Sequence, residues 1–297
     1  MQQVSNMPLC GTIPSIPAKA HAHRALIAAA LATSPSTLLI SHSSKDIDAT
    51  MDSLRALGAT ITYENGVAHV TPGPVPTMGQ VLPHESGTTL RLLLPVSASI
   101  CDTVKVDAKG RLPERPLEPL LSEMKDHGIS FSQDAPPFTM TGRLQGGIFS
   151  MTGTVSSQFF SGLLLAAPQL GHTTVNCTSS LQSKDYVTLT IETMKDFGVP
   201  VAEGITEEGH PSFTIEENQH FHGNEQYPIE GDWSNGAIWL VAAAMTGQSI
   251  SVTGLRPDSV QADKRILSIL ESAGVTCTWN GTTVTVTGKA HTPIHVN

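Results

Sequence analysis

The sequence predicts an α/β fold with βα units in tandem, and three recurring features of its 297 residues predict it. Amphipathic segments that end in glycine, MDSLRALGATI, LSEMKDHGISF, IETMKDFGVPV and ILSILESAGVT, place Gly58, Gly128, Gly198 and Gly274 about 70 residues apart, beyond the usual solenoid periods. Each segment is preceded by a stretch that is apolar nearly all round: HRALIAAALA, SGTTLRLLLPVSA, SSQFFSGLLLAAP and SNGAIWLVAAAM. Each glycine is followed by short alternating or β-branched runs.

The amphipathic segments carry apolar residues at helical spacing up to a glycine that can take the left-handed conformation ending a helix. Runs such as Thr60-Ile61-Thr62-Tyr63, and Val284-Thr285-Val286-Thr287 after the turn Asn280-Gly281, read as strands of hairpins. The apolar stretches are helices that a water-exposed chain must bury on every side. Four such helices share one or two interiors, the amphipathic helices cover them, and the strands close sheets.

Composition narrows the function. With 39% apolar and 14% charged residues the chain can form two domains with real cores. The run Ala25 to Ala32 follows basic residues as in a signal peptide, yet it begins late, follows Pro14 and Pro17, and has three counterparts, so it belongs to the core. No run is long enough to span a bilayer. Cys10, Cys101, Cys177 and Cys277 lack the spacing of a zinc site or a secreted disulfide scaffold, which fits a reducing cytoplasm. His21 and His23, two apart, cannot share a helix face as metal ligands, and no metal is expected. The net charge of −9, from 17 basic and 26 acidic residues, argues against nucleic acid or an anionic membrane as partner.

An anionic ligand must therefore meet local positive groups. Lys19 and Arg24 open the first buried helix, where a cation opposes the helix dipole by about 0.3–1 kcal/mol, so a negative group is expected beside them. The second buried helix opens Ser86-Gly87-Thr88 and the third Ser156-Ser157-Gln158. Free N–H groups beside glycine and hydroxyls form anion sites, although ordinary capping by Ser86 and Ser156 explains either helix alone. The loop Gly110-Arg111-Leu112-Pro113-Glu114-Arg115-Pro116 suits a guanidinium held for bidentate contact, or surface pairing of Arg111 or Arg115 with Glu114 or Glu118. Ser183 and Tyr186 open the third amphipathic helix, and Asp232 would cap the fourth buried one.

These segments together resemble the enolpyruvyl transferase family. Pro17-Ala18-Lys19-Ala20-His21-Ala22-His23-Arg24-Ala25-Leu26 is similar to its P-x-K-S-x-x-x-R-A-L signature, and Ser86 to Arg91 to S-G-T-x-x-R. Gly110 to Pro116 resembles G-R-x-x-x-R-P, Ser156 to Phe159 S-S-Q-F, Ser183 with Tyr186 S-x-x-Y, and Glu230 to Ser234 E-G-D-x-S. The resemblance covers the whole chain in order and implies the branch that transfers enolpyruvyl from phosphoenolpyruvate to the 5-hydroxyl of shikimate 3-phosphate, with no cofactor. It implies that Lys19, Gly87, Thr88, Arg111 and Gln158 bind phosphoenolpyruvate, and that Lys19, Ala20, Arg24, Ser156, Ser157, Gln158, Ser183 and Tyr186 bind shikimate 3-phosphate. Lys19 and Asp232 would be catalytic. A relative acting on a UDP-sugar usually carries a cysteine five residues before the loop arginine, where Val106 precedes Arg111 here. A non-catalytic anion-binding protein is the reading from a different class.

The family fold has two domains of three βαβαββ repeats, of which four repeats are expected here: residues 18–229 as a complete domain, and residues 1–17 with 230–297 as part of a second. Roughly 130 further residues are expected after Asn297, carrying an aspartate, a K-E-[ST]-x-R motif and a His-Arg pair; Pro293 to Asn297 read as leading into another strand. A whole member is expected to be monomeric, and this chain alone to self-associate through uncovered apolar surface. Ala20 stands where the family has serine. A lost hydroxyl bonded to a charged group costs about 1.5–3 kcal/mol, so Ala20→Ser is expected to tighten shikimate 3-phosphate binding roughly ten- to a hundredfold by titration calorimetry. Unchanged affinity would refute that expectation.

Overall fold

The computed structural model describes residues 8–293; residues 1–7, and the strand expected to begin within 294–297, lie outside them. The chain divides into two compact units, residues 1–18 with 230–297 and residues 19–229.

The larger unit follows the order helix, strand, helix, hairpin. Its elements are α1 (Lys19–Ala30), β2 (Ser36–Leu39), α2 (Lys45–Ala56), β3 (Thr60–Glu64), β4 (Val67–Thr71) and β5 (Gly79–Val81). Then come α3 (Gly87–Ile100), β6 (Thr103–Val106), α4 (Leu120–Asp126), β7 (Ser130–Phe131), β8 (Phe138–Thr141) and β9 (Gly147–Met151). It ends with α5 (Ser157–Ala166), β10 (Thr173–Cys177), α6 (Lys184–Asp196), β11 (Ala202–Ile205), β12 (Pro211–Ile215) and β13 (Tyr227–Pro228). The smaller unit holds β1 (Gly11–Pro14), α7 (Trp233–Thr246), β14 (Ile250–Thr253), α8 (Ile266–Ser272), β15 (Thr276–Asn280) and β16 (Thr283–Thr287).

Among the described residues the strands form four sheets of four: β13-β2-β4-β3, β5-β6-β8-β7, β9-β10-β12-β11 and β1-β14-β16-β15. In each, the first two strands run parallel and the last two form an antiparallel hairpin. The parallel pair needs a crossover, and in two sheets one buried helix supplies it, α3 between β5 and β6 and α5 between β9 and β10; α7 instead links β13 and β14, which lie in different sheets. The last crossover is thus divided, because β13 joins β2 in the larger unit while β1 joins β14 in the smaller. Gly58, Gly128, Gly198 and Gly274 all adopt φ between 86° and 110°, the left-handed helix stop that the sequence predicts.

The apolar helices α1, α3 and α5 fill the larger unit's core with Leu26, Ile27, Leu93, Leu94, Phe160 and Leu164, all wholly buried. Helix α7 departs from burial on every side. Trp233, Leu240 and Ala243 pack in the second core, while Ile238 and Met245 are 64% and 71% exposed. The smaller unit offers one sheet and short α8 to cover it, whereas α3 has α1, α2 and α5 around it. No helix among the described residues is long and apolar enough to cross a membrane.

Helices α3 and α5 approach closely at Gly162. Pro95 lies inside α3 and supplies no N–H to the Arg91 carbonyl, and a methyl at Gly162 would stand 2.7 Å from that oxygen and 3.0 Å from Pro95 Cγ. Replacing glycine by alanine within a helix ordinarily gains about 1 kcal/mol, but overpacking against backbone costs about 1–3 kcal/mol. Gly162→Ala is expected to lower the stability measured by urea unfolding; a gain would show that α3 and α5 part freely.

Candidate functional site

The starts of α1, α3, α5 and α6 are tied together by hydrogen bonds through their own side chains. Lys19 opens α1, and its Nζ lies 2.6 Å from Asp46 Oδ2 of α2; both groups keep solvent access. Asp46 is the negative partner that a cation at a helix start calls for. Ala20 follows, and its carbonyl accepts from Arg24 Nη1 at 2.6 Å.

Arg24 is 1% exposed. Its Nε donates to Thr190 Oγ1 at 2.6 Å, and Nη2 to Ser161 Oγ at 3.1 Å and the Tyr186 carbonyl at 2.9 Å. Every one of these acceptors is neutral, and burial lowers its pKa to about 10. Its bonded N–H groups turn inward, because the buried guanidinium needs acceptors, here from α1, α5 and α6.

At α3, Ser86 caps the helix by accepting from the Thr89 amide at 3.2 Å. The amides of Gly87 and Thr88, in the first turn, have no intrahelical acceptor. Thr88 Oγ1 accepts from Gln158 Nε2 at 2.9 Å, and Gln158 Oε1 accepts from Arg91 Nη1 at 3.1 Å. Gln158 therefore joins the start of α5 to that of α3. Ser156 caps α5 through the Gln158 amide, and Ser157 is buried beside it.

The two loop arginines sit differently. Arg111 is 91% exposed and lies 3.3 Å from Glu114, a surface pair. Arg115 instead covers the start of α3, since a methyl built on Gly87 would stand 2.8 Å from Arg115 Nη1. Its charge, after burial, is a second cause that lowers the pKa of Arg91. Arg115, which the sequence reading named in the loop but left out of the ligand set, is held extended by Pro116, here at ψ 136°.

Ser183 precedes α6 with φ 53° and ψ 42°, and its side chain makes no cap bond. The left-handed backbone turns it away from the amides that a cap would reach. Tyr186, a turn later, is 41% exposed and its carbonyl serves Arg24. In the smaller unit Asp232 caps α7, accepting from the Asn235 amide at 2.9 Å. A groove on the third sheet, lined by Asn176, Glu207, Glu208 and His210 among others, contains none of the sequence-predicted residues.

The larger unit thus brings Arg91, Arg115, Gln158 and the amides of Gly87 and Thr88 together at α3, while Lys19 and Arg24 belong to α1 and Ser156 and Ser157 to the start of α5. Such a set binds anions and stabilises negative charge. The family model for EPSP synthase (3-phosphoshikimate 1-carboxyvinyltransferase) matches residues 5–297. The chain belongs to the EPSP synthase family. A 3-phosphoshikimate 1-carboxyvinyltransferase of Methanocorpusculum labreanum is 35% identical over 294 residues, covering 95% of this chain and 67% of that protein. One from Clostridium acetobutylicum is 36% identical over 285 residues, covering 92% and 65%. The chain thus spans about two thirds of the length of these EPSP synthase relatives. An EPSP synthase structure from Acinetobacter baumannii shares the fold with a TM-score of 0.74 at 21% identity, over 94% of this chain and 64% of that one.

Behind the site, His23 on α1 is wholly buried with Nδ1 2.7 Å from Thr50 Oγ1. Burial first, then the charge of Arg24, lowers its pKa from 6.5 to about 3, with Asp46 opposing and Lys19 adding to the shift. An unfolded chain takes up this proton below pH 6.5, the folded one only near 3. The stability that His23 contributes is therefore complete above pH 6.5 and is lost as pH falls, at about 1.4 kcal/mol per pH unit. His23→Asn is expected to remove about 2 kcal/mol of the decline in stability between pH 6.5 and 5, read from urea midpoints; an unchanged slope would place a charged histidine in the core.

Proposed function

We propose that this chain carries the substrate-binding machinery of an EPSP synthase. The whole protein would transfer enolpyruvyl from phosphoenolpyruvate to the 5-hydroxyl of shikimate 3-phosphate and release phosphate. The observation that supports the reading is the set of hydrogen bonds joining α1, α3, α5 and α6, with Arg115 over the start of α3 and Lys19 at the start of α1.

Phosphoenolpyruvate is assigned to Lys19, Gly87, Thr88 and Gln158, with Arg115 in place of Arg111. Arg115 keeps its guanidinium over the free amides, so one anionic group can meet a helix dipole and a fork of donors together. Shikimate 3-phosphate is assigned to Lys19, Ala20, Ser156, Ser157, Gln158, Ser183 and Tyr186. Arg24 acts through its charge from beneath, where low polarity strengthens its field. Lys19 and Asp232 keep the catalytic roles that the resemblance implies. As hydroxyl adds and phosphate leaves, charge develops between substrates already surrounded by fixed cations and amides.

The partners in this reading are two small anions, and neither nucleic acid nor membrane enters it. The four cysteines are free thiols, which supports a reducing cytoplasm. A non-catalytic anion-binding protein would share the site yet release no phosphate.

The test is titration of the chain with shikimate 3-phosphate and then phosphoenolpyruvate, followed by assay of phosphate release. Arg115→Ala is expected to weaken phosphoenolpyruvate binding roughly ten- to a hundredfold, and Arg111→Ala by less than about twofold. Equal effects of the two, or no binding of either ligand, would sink the assignment. Binding without phosphate release would favour the non-catalytic reading.

A further inference from the structure

His23 lies at the head of a relay that ends at both anion-binding elements. Its Nδ1 meets Thr50 Oγ1 of α2 at 2.7 Å, and Thr50 Oγ1 meets Thr89 Oγ1 of α3 at 2.7 Å. Thr89 Oγ1 stands 2.8 Å from Ser86 Oγ and 3.3 Å from the Asp46 carbonyl oxygen. Ser86 caps the helix whose first amides are those of Gly87 and Thr88, and the carboxylate of Asp46 holds Lys19.

The relay has a direction. His23 Nε2 has no hydrogen-bond partner among the described residues. If Nδ1 accepted from Thr50, Nε2 would carry a proton with nowhere to donate, and an orphaned buried N–H costs more than an under-used lone pair. Nδ1–H therefore donates to Thr50, Thr50 to Thr89, and Thr89 to Ser86 or the Asp46 carbonyl. Three helices are joined by one ordered line of protons in a core where apolar side chains would pack as well.

We propose that His23 is a positioning residue for the phosphoenolpyruvate end of the site, setting through Thr50 and Thr89 the register of the α3 start against α1 and α2. Lys19 and the amides of Gly87 and Thr88 are then presented to one ligand together. The ligand part rests on the function proposed above; the positioning of α3 does not.

The test compares the chain with His23→Leu, His23→Asn and Thr50→Val. Leucine removes the donor, asparagine retains a side-chain N–H, and valine breaks the relay at its middle with a similar shape. Amide hydrogen exchange is read along α3, and affinity for phosphoenolpyruvate and shikimate 3-phosphate by calorimetry. His23→Leu and Thr50→Val are expected to speed exchange at Thr89 and Leu90 by about tenfold or more, leaving Ser97 to Ile100 unchanged. They are expected to weaken phosphoenolpyruvate about tenfold and shikimate 3-phosphate less than about threefold, with His23→Asn restoring both readings. Exchange that is unaltered at Thr89, that rises evenly along α3, or that asparagine fails to restore would overturn the proposal. Should the unaltered chain bind no phosphoenolpyruvate, the function proposed above falls while the exchange pattern still decides the positioning. Where His23→Leu does not fold, Thr50→Val carries the comparison.

Discussion

The larger unit is organised around a cation buried without a carboxylate among its bonded partners. Arg24 sits in the core between α1, α5 and α6, and its bonds to Ser161, Thr190 and two backbone carbonyls hold these helices in one arrangement. A buried charge is tolerated only when its donors are met, so any displacement of α5 or α6 leaves guanidinium N–H groups stranded at a cost of several kcal/mol. The relative placement of α1, α5 and α6 is held by this demand. Asp46 balances Lys19 at the surface instead, leaving the interior charge to project toward the site.

The net charge of −9 does not prevent a local gathering of cations, because Lys19, Arg91 and Arg115 stand at or beside helix starts even though Asp46 bonds Lys19. A cation at a helix start opposes the dipole, and Arg91 and Arg115 repel one another. These unfavourable placements are spread over α1, α3 and the loop before α4. The packing of apolar helices behind them holds the charges where an anion would relieve them.

Helix ends and hairpins were legible because their signals are local. Each of Gly58, Gly128, Gly198 and Gly274 stops a helix by its own conformational freedom, and Ser86, Ser156 and Asp232 cap as their side chains dictate. The choice between Arg111 and Arg115 was not local, since it depends on which guanidinium the loop turns toward Gly87. The left-handed turn at Ser183 is not announced by residue type, and only its backbone angles show it. The exposed stripe of α7 was hidden for another reason: apolar sequence records a need for cover, while burial depends on which elements stand nearby. The relay from His23 draws its members from three helices, so no spacing in the chain announces it.

The exchange of first strands between sheets has a consequence for how the chain assembles. Strand β1 pairs with β14, Gly11 against Ile250, and β2 pairs with β13, Leu38 against Tyr227. Strand β1 therefore waits until the chain has reached Ile250, and the sheet that holds β2 stays open along one edge until the larger unit is nearly synthesised. Loop closure over such separations costs little more than over half of them, but the search is slow and the waiting edges can pair with the wrong chain. The connectivity that gives each unit its closing strand thus also makes the nascent protein a client for whatever shields open sheet edges during synthesis.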